Sequence, residues 1–85
     1  MKKVTIYTTL SCPYCIKAKK LLEDKGVKYY ELRIDLNPEL AMEAVTKSGG
    51  RRTVPQIFIG DHHVGGSDDL YALEKDKKLD SLLAD

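Results

Sequence analysis

Eighty-five residues make one domain, near the lower end of what folds without a covalent or metal staple. The chain is 42% hydrophobic and 32% charged, with no tryptophan, and its fourteen Lys+Arg against thirteen Asp+Glu leave a formal +1; this is a water-soluble globular composition that excludes nucleic acid or an anionic membrane as an obligatory partner. Apolar runs such as Ile57-Phe58-Ile59 are far too short to span a bilayer, and the half-polar stretch after Lys2 and Lys3 does not read as a signal peptide, so a single cytoplasmic domain over residues 1–85 is expected.

Lys3 to Thr8 alternates, with Val4 and Ile6 on one face and Thr5 and Tyr7 on the other, and reads as a strand. Ser11-Cys12-Pro13 turns into a helix, because proline suits the first helical position, where a missing N–H is no loss. Ile16, Ala18, Leu21 and Leu22 recur at helical spacing through Lys25, and Gly26 supplies the stop. Val27 to Ile34 reads as a second strand. Asn37-Pro38-Glu39 is a helix start with cap, proline and first-turn acid, and that helix runs to Gly49-Gly50. Gln56–Ile59 and His62–Val64 flank the turn at Gly60-Asp61 as a hairpin. Gly65-Gly66-Ser67-Asp68-Asp69 opens a last helical region whose apolar side is Leu70, Leu73, Leu79, Leu82 and Leu83. The order β-α-β-α-β-β-α predicts an α/β fold in which the first two strands are parallel, the last two form an antiparallel hairpin, and helices cover both faces of a small mixed sheet.

Both cysteines of the chain, Cys12 and Cys15, lie within one short segment. The loop they would close is so short that a bridge restrains the unfolded chain less than one between distant segments would. As a staple the pair is poorly placed. It stands instead where a strand hands over to a helix, where free N–H groups and the positive end of the helix dipole favour negative charge. With Lys17, Lys19 and Lys20 nearby, such a site can lower a thiol pKa from about 8.5 into roughly the 3.5–7.5 range. Cys12 at the helix entrance is expected to be the exposed nucleophile and Cys15, one turn in, the less accessible partner. A zinc half-site would need two more ligands, and His62 and His63 point to opposite faces of a strand. Two inert packing cysteines are the other alternative. The βαβ placement favours redox chemistry.

Cys12-Pro13-Tyr14-Cys15, followed by Thr53-Val54-Pro55 and Gly65-Gly66-Ser67-Asp68-Asp69, resembles the dithiol glutaredoxins, the short bacterial members in particular, from about Lys3 to Leu83. The resemblance implies a thioredoxin-like fold with a four-stranded mixed sheet. It implies a cis Pro55 against the cysteine pair, with the backbone of Val54, and Thr53 beside it, pairing with the cysteine of glutathione. Tyr14 would flank the reactive sulfur, while Gly66, Ser67 and Asp68 would hold the γ-glutamyl end. Ser67 is also a candidate helix cap. The implied activity is glutathione-dependent thiol–disulfide exchange through Cys12 and Cys15 on protein–glutathione mixed disulfides and protein disulfides. No tightly bound cofactor and no metal are expected; glutathione is the reducing co-substrate. Protein clients, ribonucleotide reductase among the family-typical ones, would be met by a monomer without nucleic-acid or membrane partners.

The chain departs from that pattern at Thr9, where many relatives carry lysine, and near Met42, where many carry Gln or Arg. Both changes touch the expected glycyl-carboxylate end, for which Arg52 is the candidate substitute. Ser67 stands where some relatives have a further cysteine. Two rivals are a redoxin fed by thioredoxin reductase and a module bridging an iron–sulfur cluster; the residues between the cysteines and the missing aromatic-glycine motif before Pro55 argue against the first, and Pro13 against the second.

Overall fold

In the computed structural model, which describes residues 1–84, four strands form one mixed sheet: β1 (Val4–Thr8), β2 (Tyr30–Arg33), β3 (Gln56–Ile59) and β4 (His62–Gly65), ordered β2-β1-β3-β4. β1 pairs parallel to β2, Thr5 opposite Tyr30 through Thr8 opposite Arg33. It pairs antiparallel to β3, Val4 opposite Ile59 through Tyr7 opposite Gln56. β3 and β4 form the expected hairpin, with an irregularity between Ile57 and Phe58. Being central, β1 packs on both faces, Val4 and Ile6 on one and Tyr7 on the other.

The helices are α1 (Pro13–Asp24), α2 (Pro38–Lys47), α3 (Ser67–Lys75) and α4 (Leu79–Leu83). On one face Val4, Ile6, Ile57 and Ile59 pack with Ala18 and Leu22 of α1, Leu70 of α3 and Leu79 and Leu83 of α4. On the other, Tyr7 and Phe58 meet Ala44 of α2, and their rings stand edge to face at 5.7 Å. The thioredoxin-like architecture with helices on both faces is therefore observed.

Two boundaries differ from the sequence expectation. β2 begins at Tyr30 rather than Val27, because the Val27 N–H is already committed to the Leu22 carbonyl at the end of α1 (2.9 Å). That bond and Gly26 N–H to Glu23 O (3.0 Å) close α1 with Gly26 in the left-handed region (φ +71°), the usual reverse turn at a helix end. The C-terminal helical region is also not continuous. Lys77 takes φ +60°, Lys78 N–H bonds Leu73 O (2.8 Å) and Lys77 N–H bonds Glu74 O (3.0 Å), so the same reverse turn ends α3 and α4 starts afresh. Lys25 ties these pieces together. Its Nζ lies 2.9 Å from both Glu74 carboxylate oxygens and 2.9 Å from an Asp80 oxygen, linking the end of α1 to α3 and α4. The Glu74 hydrogen bond is the main reason the ammonium holds its proton above the ordinary lysine range.

Candidate active site

Cys12 is the N-cap of α1. Its backbone is extended (φ −134°), Pro13 occupies the first helical position, and its Sγ accepts a hydrogen bond from the Cys15 N–H at 3.1 Å. The sulfur therefore sits where a helix cap puts a serine or aspartate oxygen, in reach of an unpaired backbone donor and the positive helix end. Cys12 and Cys15 are bridged, with Cα atoms 5.1 Å apart, inside the range a disulfide requires. Cys12 is 6% exposed and Cys15 1%. The expected order of access holds, but the bridged Cys12 is far less open than a helix entrance suggested, because the loop carrying Val54 closes over it. The Val54 carbonyl oxygen is 3.8 Å from Cys12 Sγ, and the Val54–Pro55 peptide is cis.

Two carboxylates hold the approach to Cys12. Asp35, just after β2, accepts the Leu10 N–H at 3.2 Å while Arg33 grips it through two nitrogens at 2.7 and 2.6 Å. The guanidinium is the main cause that holds the Asp35 carboxyl down to about 2. Glu31 on β2 accepts hydrogen bonds from the Thr8 hydroxyl at 2.7 Å and the Lys19 ammonium at 3.0 Å, joining the end of β1, α1 and β2. The Thr8 hydrogen bond leads the causes that lower its carboxyl.

Beside the cysteine pair runs an open groove of about 450 Å³. Tyr14 of α1, the loop residues Thr53, Val54 and Pro55, and Gly66, Ser67 and Asp68 at the start of α3 all border it. The seven residues expected from the sequence to meet one ligand are thus brought together, from three separate parts of the chain. Tyr14 is exposed, and the Lys17 ammonium lies 6.0 Å from its ring centroid and 5.7 Å from that of Tyr71.

The α3 end is capped differently from expectation. Gly66, not Ser67, is the N-cap, and Asp69 accepts the Gly66 N–H at 2.9 Å, so Ser67 is the buried first residue of the helix. Asp69 also lies 3.6 Å from the Arg51 guanidinium, so of the two exposed acids on the groove Asp69 is committed to this cap and ion pair and Asp68 faces the groove beside it. Gly65 makes this possible: at φ +116°, a Cβ there would run into the Asp69 carboxylate and sit 2.9 Å from Arg51 Nη1. Arg51 and Asp69 are groove residues that the sequence undersold. The position of Asp69, third in the helix after a glycine cap, was the available signal. Arg52, the expected substitute cation, borders a separate shallow depression with Met42, Ala41 and Thr46; the arginine on the groove wall is Arg51.

Comparison with known proteins agrees with this geometry. Residues 4–64 match the family model described as Glutaredoxin. A glutaredoxin of Pseudomonas aeruginosa is 57% identical over 84 residues, covering 99% of both chains. The solution structure of a glutaredoxin from Brucella melitensis superposes with a TM-score of 0.85 at 57% identity, over 98% of this chain and 89% of that one. A buckwheat glutaredoxin–glutathione complex superposes at 0.87 with 29% identity, over 96% of this chain and 76% of that one. With its bridged cysteines at the head of α1 beside a cis-proline loop, the chain belongs to the glutaredoxin family and is a thiol–disulfide oxidoreductase.

Proposed function

We propose that the chain is a glutathione-dependent oxidoreductase that reduces protein–glutathione mixed disulfides and protein disulfides in the cytoplasm, as a monomer. The observation that supports this most is the grouping of Tyr14, Thr53, Val54, Pro55, Gly66, Ser67 and Asp68 around one groove beside Cys12. An extended tripeptide can lie there. Its cysteine would pair with the Val54 backbone, placing its sulfur against Cys12. The γ-glutamyl carboxylate would meet the N–H groups at the head of α3, and its ammonium the Asp68 carboxylate. Arg52, on the depression that Met42 borders, is the candidate cation for the glycyl carboxylate in place of the residues missing at Thr9 and Met42, whereas Arg51 stands beside Asp69 at the γ-glutamyl end. The solved buckwheat relative, a complex with glutathione, supports the choice of ligand.

The Cys12 thiolate attacks the glutathionyl sulfur of the mixed disulfide, the client sulfur leaves as a thiolate and takes up a proton, and Cys12 is left disulfide-bonded to glutathione. A second glutathione thiolate attacks that bond, releasing glutathione disulfide and the Cys12 thiolate. With a protein disulfide, Cys12 forms a mixed disulfide with the client and Cys15 displaces the client thiol, leaving the Cys12–Cys15 bridge for glutathione to reduce. No resident cofactor enters these steps. Client proteins of the ribonucleotide reductase kind fit the second route.

Two variants and two electron sources test this. Cys12→Ser is expected to abolish both activities; Cys15→Ser should retain reduction of a glutathionylated peptide and lose reduction of a protein disulfide. Turnover should be sustained by glutathione with glutathione reductase. Turnover sustained only by thioredoxin reductase, or substantial activity in the Cys12→Ser protein, defeats the assignment.

A further inference from the structure

His63 lies on β4, outside the groove, and its sequence neighbourhood marks it as a hairpin surface residue. Its ring is instead half-buried, stacked on Phe58 with centroids 4.8 Å apart and planes 28° apart. Its Nε2 is 2.7 Å from Gln56 Oε1. Gln56 is 1% exposed, and its Nε2 reaches Thr53 O at 3.0 Å and Thr53 Oγ1 at 3.2 Å. The chemistry fixes every orientation in this chain of contacts. A backbone carbonyl only accepts, so the Gln56 amide must turn its NH2 towards Thr53; its oxygen then faces His63, which must carry the proton on Nε2. Thr53 belongs to no helix or strand, and both its carbonyl and its hydroxyl are held by that single amide.

We infer that His63 is a positioning residue: acting through Gln56, it sets the pose of Thr53 and of the Val54 backbone that follows, and so sets how tightly the groove holds glutathione. The inference rests on the glutathione reading above. Without a donor at His63, Gln56 Oε1 is left buried and unpaired. That cost is relieved only if the side chain shifts to bring Oε1 to water, and such a shift loosens the two hydrogen bonds by which the same amide holds Thr53.

The test uses two variants of the full chain. His63→Phe keeps a ring on Phe58 and removes the donor; His63→Gln can restore an N–H near the place of Nε2. With a glutathionylated peptide, His63→Phe is expected to raise KM about fivefold, with kcat within about twofold of the parent, and His63→Gln to stay within about twofold in both. A KM for His63→Phe within twofold of the parent, or an equal loss in both variants, overturns the inference. Amide resonances of Thr53 and Val54 give a readout free of glutathione: they should move in His63→Phe and far less in His63→Gln. If the parent does not turn over the peptide at all, the glutathione reading falls, and these resonances alone decide the relay. In the parent itself, nitrogen shifts that place the neutral imidazole proton on Nδ1 overturn it even if no variant folds.

Discussion

The acid pair at the approach to Cys12 shows how single side chains shape this site. Asp35 joins the loop that precedes the cysteine to the end of β2, through the Leu10 N–H and the Arg33 fork. Its folded carboxyl titrates at about 2, below the roughly 3.9 of an unfolded chain, so its contribution is present above the unfolded value and is lost as pH falls through the window from about 4 to 2. In acid titrations followed by circular dichroism, Asp35→Asn is expected to be less stable than the parent at pH 7 and to lose less stability across that window. Equal slopes for the two proteins below pH 4 would show that the ion pair is too exposed to matter. Cys12, Cys15 and the Thr53-Val54-Pro55 segment were legible as motifs, since their residue types carry the chemistry. The Asp35 and Glu31 contacts were not, because each needs the parallel register of β1 and β2 that sequence spacing leaves open.

Among the secondary-structure elements, helix starts marked by proline read better than the break within the C-terminal helical region. Pro13 and Asn37-Pro38 marked helix beginnings by capping chemistry local to a few residues, and both stand where expected. The break between α3 and α4 escaped detection because its pivot is Lys77, with no glycine to announce a left-handed residue. A non-glycine residue in that conformation costs about 1–2 kcal/mol, part of which glycine returns as extra freedom in the unfolded chain. Lys77→Gly is therefore expected to stabilise the fold by about 1 kcal/mol, a rise in melting temperature of about 4–8 °C for a domain of this size. An unchanged or lower midpoint would mean that the exposed lysine makes up the difference elsewhere. His63 was misplaced for a related reason: alternation along a strand assigns a face, but the partners on that face come from the β3–β4 pairing.

At the scale of the molecule, the two faces of the sheet are unequal. Among the described residues ten buried side chains fill the space beneath α1, α3 and α4, whereas α2, through Ala44, rests on Tyr7 and Phe58 with Leu32 and Ile34 at the margin. The Lys25 clamp also serves the larger side, joining its three helices in one ion-paired knot. Local opening follows the thinner packing. In native-state hydrogen exchange, amides near the middle of α2, such as Val45, are expected to exchange at least about tenfold faster than those of Leu22 and Leu70. Uniform protection across all three would indicate that the domain opens only as a whole. The α/β layering itself was visible in the alternation of Val4 to Tyr7 and in the helical apolar spacings; the inequality of the two layers was not, because it depends on which helix faces which side.

Cys12 as the cap of α1 has a practical meaning for anyone dissecting the enzyme. Most proteins give that slot to serine, threonine, asparagine or aspartate, and here sulfur has taken it over for chemistry. The swap back to serine leaves a hydroxyl to receive the Cys15 N–H, so it silences the reaction while preserving the architecture of the helix entrance. Alanine at the same place would remove both at once. A dead enzyme made with serine is a chemical result; one made with alanine confounds chemistry with folding.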